Sequence, residues 1–150
     1  MARSRNYRDL IAWQKAMKLA KATYRLSNEL PRREVYGLIS QLQRAAVSVP
    51  SNIAEGHGRL TDLQFRHFLG NARGSLYELQ TQVELAGDLG YLSAERVRDF
   101  MEQSSEVARL INGLIASLRE ERRASRNSLT PLTARSAANS ASSAIKDLRK

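Results

Sequence analysis

Residues 36–56 read YGLISQLQRAAVSVPSNIAEG, and the spacing of their apolar residues decides the fold. Leu38, Leu42, Ala45, Ala46, Val49 and Ile53 recur at steps of three and four, which places them on one face of a helix. Pro50 lies inside the run and removes the backbone hydrogen bond to the carbonyl of Ala46. A kink is expected there and not a stop, because the stripe stays in phase through Ile53. Gly56 and Gly58 then supply the permissive backbone expected where a helix closes. The helix predicted from this stretch runs from about Arg32 to Glu55.

Three more helices follow from the flanking sequence. Upstream, Leu10, Trp13, Met17, Ala20 and Tyr24 are spaced as a buried stripe and predict a helix from Tyr7 to Glu29, ended by Leu30 and Pro31. Downstream, Phe65, Phe68, Leu69, Ala72, Leu76, Leu79, Val83 and Ala86 predict a helix from Asp62 to Leu89. Thr61 with Gln64 reads as its capping box and Gly90 as its stop. Val97, Phe100, Met101, Val107, Ile111, Leu114 and Leu118 predict the last helix, from Ser93 to Leu118, with Ser93 as its N-cap and Glu95 near the positive end of its dipole.

No segment alternates with period two, so no strand is predicted. Helices of about 23–27 residues are roughly 35–40 Å long, and short connections force neighbours to run antiparallel. The expected fold is all-α: an antiparallel up-down-up-down four-helix bundle over residues 1–119. Residues 120–150 are rich in Ser, Ala, Arg and Thr and lack aromatic residues. Such a segment buries too little apolar surface to offset its ordering entropy, so a disordered, flexible basic C-terminal tail is expected.

Charge narrows the partner class. The chain carries a formal net charge of +9 with a pI near 10.5. Residues 1–60 hold 11 Lys and Arg against 4 Asp and Glu, residues 61–119 hold 6 against 8, and residues 120–150 hold 7 against 3. A basic first half and tail suit a polyanion. Absence of cysteine excludes disulfides and thiolate metal sites and fits a reducing compartment. Neither a secretory leader nor a membrane span is visible, so a cytoplasmic location is expected.

Catalytic chemistry finds little support. His57 and His67 are the two histidines, and neither stands at a metal-binding spacing with another ligand. Glu78, Glu84, Asp88, Glu95, Asp99, Glu102 and Glu106 lie mostly off the apolar stripes and read as a solvated face. No serine sits in a nucleophile elbow, and Gly56-His57-Gly58 is too short for a phosphate cradle. A non-enzyme without metal or cofactor is expected.

Two patterns ask for a role. Lys18, Lys21 and Arg25 share one helix side, out of phase with Trp13, Met17 and Tyr24. With Arg32, Arg33 and Arg44 they are the candidates for phosphate contacts, which position a nucleic acid with little base specificity. The alternative is an ordinary solvated face. On the second helix, Gln41, Arg44, Ser48, Asn52 and Glu55 form a polar line beside the small residue Ser51. Gln41, Ser48, Ser51 and Asn52 are the candidates for an oligomer interface, where small and amide side chains permit close approach. The alternative is hydrogen bonding within the bundle around Pro50.

The motifs together resemble a family. Trp13-Gln14-Lys15-Ala16-Met17, the stretch 36–56, and Phe68-Leu69 with the run from Ala72 to Leu79 look like the bacterial four-helix-bundle proteins encoded in intervening sequences of 23S ribosomal RNA genes. The accessory variability determinant of diversity-generating retroelements looks similar. The resemblance covers roughly Tyr7 to Leu118. It implies a barrel-like homopentamer with a basic surface, nucleic-acid binding (RNA or DNA) and, in the retroelement branch, association with a reverse transcriptase. It adds no catalytic residue. A homo-oligomeric nucleic-acid-binding accessory protein is therefore the first expectation. A protein adaptor that docks a reverse transcriptase is the second.

Overall fold

A computed structural model describes the backbone of residues 3–146 and the side chains of residues 3–128. Leu10 divides the first helical run. Tyr7–Asp9 forms a single 3-10 turn, capped by the Asn6 side chain accepting from the Arg8 amide at 3.0 Å. Leu10 is extended, and helix α1 covers Ile11–Ser27. Arg32–Glu34 is a second 3-10 turn, so helix α2 begins later than predicted, at Leu38, and ends at His57. The late start has a local cause: the Glu34 carboxylate accepts from the Leu38 amide at 3.0 Å, capping the helix from outside. Helix α2 runs on through Pro50, as its unbroken stripe requires.

Helix α3 spans Asp62–Asp88, with Thr61 Oγ1 accepting from the Gln64 amide at 3.2 Å. It ends in a Schellman motif. The Tyr91 amide bonds to Ala86 O at 2.9 Å and the Gly90 amide to Gly87 O at 3.0 Å, with Gly90 at φ +77°. Helix α4 spans Ala94–Lys146, entered through Ser93, whose hydroxyl accepts from the Arg96 amide at 3.2 Å.

Contact pairs run in opposite directions along neighbouring helices, as an up-down-up-down bundle demands. Gln80 meets Ser104 while Arg73 meets Asn112. Lys15 meets Glu106 while Glu29 meets Arg96. Leu19, Leu42, Ile53, Leu69, Leu76, Leu79, Val83 and Ile111 are fully buried between them. Among the described residues there is no strand, and no helix is long and apolar enough to cross a membrane.

Three expectations need correction. The buried face of α1 is Ala12, Ala16, Leu19, Thr23 and Leu26, and of the predicted stripe it shares Ala20 alone. Both sets have helical spacing; the buried one combines Leu19 and Leu26 with the small Ala12, Ala16 and Thr23, which let α1 approach its neighbours. Thr23 satisfies its buried hydroxyl on Leu19 O at 2.8 Å. Gly56 does not close α2 through backbone freedom. It lies inside the helix, where a Cβ would stand 2.5 Å from the Phe68 Cβ, and Gly58 caps in the right-handed region. Helix α4 also extends past Leu118. Apolar periodicity stops there, but a helix needs only its own ladder, which residues such as Ala and Arg favour.

Residues Met1–Ile115 and Ala116–Lys150 form two units. In the second, the backbone is helical through Lys146, with Ser125 Oγ donating to Glu121 O at 2.9 Å. The backbone of residues 147–150 and the side chains of 129–150 lie outside the described residues.

Candidate nucleic-acid interface

Because α1 buries its Ala12–Leu26 face, its aromatic side is turned outward, with Tyr24 exposed and Trp13 and Met17 half-buried. Trp13, Met17 and Tyr24 face α2 across an open groove of about 560 Å³ whose far wall is Val47, Pro50, Ser51 and Ala54. Tyr24 and Val47 are 46% and 44% exposed. The N-terminal turn closes one end: the Tyr7 ring stands edge-on to Trp13 at 5.3 Å and 70°. The Arg8 guanidinium lies 4.6 Å from the Tyr7 ring centroid.

Lys21 and Arg25 reach into this groove, and Lys18 lies exposed one turn before Lys21. Among the described residues, no carboxylate lines it. The three cations make no ion pair among the described residues, whereas Arg3, Lys15, Arg59 and Arg96 do. Lys15 pairs with Glu106 at 3.2 Å, Arg59 with Glu55 at 2.6 Å and Arg96 with Glu29 at 2.6 Å.

The remaining candidates are dispersed. Arg32 and Arg33 sit in the turn before α2. The Arg33 guanidinium lies 5.6 Å from the Tyr91 ring centroid and 3.4 Å from its hydroxyl, and that hydroxyl donates to Glu34 Oε1 at 3.1 Å. The Leu38 amide, then the Tyr91 hydroxyl and the Arg33 charge, hold the Glu34 carboxyl below its ordinary value. Arg44 is exposed beside a second groove of about 360 Å³ between α2 and α3, with Gln41, Ser48, Ser75 and Glu78.

That second groove splits the predicted interface set. Ser48 Oγ and Ser75 Oγ share a 2.8 Å hydrogen bond. Asn52 Nδ2 donates to Ser48 O at 2.8 Å and to Ser48 Oγ at 3.0 Å. Ser48 and Asn52 thus bond within the bundle, Gln41 lies exposed beside them, and Ser51 faces the α1–α2 groove instead.

The aromatic lining of the first groove was missed by sequence reasoning. A usable signal was present: α1 carries two apolar series, and a helix can bury only one stripe of limited width. The histidines also gain places. His57 Nε2 donates to Ser4 O at 2.7 Å, and Arg3 beside it bonds to the carbonyls of Gly56 at 3.2 Å and His57 at 2.8 Å. His57 thus anchors the N-terminal segment to the end of α2. His67 is exposed beside Arg59, Arg66 and Phe68 near the α2–α3 turn. Among the described residues, no group of three or more His, Asp and Glu could hold a metal.

Residues 8–113 match the family model described as 23S rRNA-intervening sequence protein. The chain belongs to this family. The match begins at Arg8, inside the first 3-10 turn, and ends within α4. A solved structure agrees in fold: a protein of unknown function from the S23 ribosomal protein family of Bacteroides thetaiotaomicron. It superposes with a TM-score of 0.66 at 21% identity, over 70% of this chain and 98% of that one. No curated protein matches the chain.

Proposed function

We propose that this intervening-sequence family member is a non-catalytic, homo-oligomeric accessory protein that binds RNA or DNA through the phosphate backbone, in the cytoplasm. The observation that carries the reading is the unpaired cation line of α1. Lys15, Arg59 and Arg96 satisfy their charges on carboxylates, while Lys18, Lys21 and Arg25, exposed along one side of α1, make no ion pair among the described residues. A line of such cations on a chain of net charge +9 attracts a polyanion. Arg32, Arg33 and Arg44 add contacts beyond that line, and the basic residues after Arg119 add affinity without specificity. The proposed assembly is a homopentamer, which repeats the cation line around one axis.

Binding of labelled structured RNA and duplex DNA across a salt series tests this, with sedimentation of the same samples giving the copy number. The intact chain should bind with an affinity that falls steeply with salt, and a version ending at Arg119 should retain most of it. Reversing Lys18, Lys21 and Arg25 to Glu should lower the salt slope by roughly 2–3, about 0.9 per lost phosphate contact. Unchanged affinity would remove this helix face from the site. No binding near physiological salt would leave the protein adaptor, docked to a partner such as a reverse transcriptase, as the better account.

A further inference from the structure

We infer that the α1–α2 groove takes unpaired nucleobases, so that the protein grips single-stranded segments in preference to duplex. The inference rests on the nucleic-acid reading above and assigns a ligand class to one surface.

The groove combines the two elements that single-strand binding needs. One is a set of aromatic rings: the exposed Tyr24 and the half-buried Trp13 line it, and the half-buried Tyr7 closes its end. Every base has a π-face, so stacking on such rings tolerates any sequence. The other is positive charge on the rim, supplied by Lys21 and Arg25, with Lys18 extending the line along α1. The cations are offset around α1 from the aromatic rings, so phosphates can run along one track while bases turn inward to the other. A duplex can use only the first track, because its bases are stacked on one another and present edges rather than faces.

A second copy of the chain fits the groove less well. Its own net charge is +9, and its first half carries the excess. Meeting the groove with its basic first half or tail, it would bury Lys21 and Arg25 against like charge, and a desolvated, unpaired charge is costly; only residues 61–119, with 8 Asp and Glu against 6 Lys and Arg, would offer them carboxylates. A polyanion neutralises both cations as it binds. The volume of about 560 Å³ also lies within the range of pockets that hold ring-sized ligands.

Trp13 is the only tryptophan, so its emission reports on this groove alone. The full chain would be titrated at two protein concentrations with short oligouridylate, and with the same strand paired to oligoadenylate. Oligouridylate should quench Trp13 emission to saturation, while the duplex binds through the cations with little quenching. Tyr24→Ala removes an exposed ring and keeps the reporter. It should weaken oligouridylate binding about tenfold and leave duplex binding unchanged. Salt-dependent binding of both forms with no effect on Trp13, or with no loss in Tyr24→Ala, would overturn the groove assignment and leave the nucleic-acid reading standing. Trp13 emission that shifts with protein concentration and is indifferent to oligouridylate would hand the groove to a second copy. Failure of both strands to bind would overturn the inference together with the reading beneath it.

Discussion

Helix α2 is flanked by two grooves of opposite character. On the α3 side, Ser48, Asn52 and Ser75 spend their polar groups on one another. Gly56 there lets the helices approach until no Cβ fits between them. On the α1 side, Val47 and Tyr24 remain nearly half exposed, and two cations that make no ion pair among the described residues line the same groove. One flank is closed by internal contacts and the other is left open. A helix that seals one side and leaves an apolar, charged strip on the other has satisfied its folding requirement on the first. The second is then available for a ligand.

The closed flank should be the more fragile. Gly56→Ala forces a methyl group to 2.5 Å from the Phe68 Cβ and 3.0 Å from the Phe65 ring. The Phe68 Cβ is rooted in the α3 backbone, so the helices themselves must part. Overpacking of this kind costs about 1–3 kcal/mol, measurable as a lower midpoint in denaturant unfolding at unchanged slope. A loss below about 0.5 kcal/mol would show that α2 and α3 ease apart freely, and the two flanks would then differ less than the contacts indicate.

Next in size is the serine pair. Ser48→Ala should cost about 1 kcal/mol, because it strips Ser75 of its partner and Asn52 of one of its two acceptors. Ser48→Ala with Ser75→Ala should cost less than the two single changes added, since removing both members leaves no orphan between them. Sedimentation of these variants sharpens the comparison. An unchanged copy number keeps Ser48 and Asn52 as internal ties, whereas a changed one restores them to a subunit contact.

The same asymmetry explains what the sequence could tell. On α2, Leu38 through Ile53 carry one long apolar series, with Ile39, Val47 and Ala54 scattered outside it, and every predicted core residue is buried. On α1 two series compete. Size favoured Trp13, Met17 and Tyr24, yet burial follows Ala12, Ala16, Leu19, Thr23 and Leu26. Periodicity identifies a face but does not weigh how closely a neighbour approaches, and small residues gain where the approach is close. The cation line of Lys18, Lys21 and Arg25 was legible because charge marks the solvated side directly. Its aromatic neighbour was not, since an exposed aromatic row and a buried one have the same spacing. The short ties across the α2–α3 seam were visible only as an alternative, because a polar line at helical spacing serves an internal seam and a subunit contact equally well.

Val47→Glu carries the smallest expected effect on the fold and tests the open flank. Val47 is 44% exposed, and surface substitutions away from special features usually stay within about 0.5 kcal/mol. The new carboxylate would stand on the wall opposite Lys21 and Arg25, the two cations that line the groove. It therefore leaves the bundle nearly as stable while replacing an apolar wall with a charge that repels phosphate. Unfolding midpoints should hardly move, while oligouridylate should lose its hold on Trp13. A loss of more than about 1 kcal/mol would instead show that this wall contributes to the core, and the contrast between an open and a closed flank would fail at the side on which the functional reading depends.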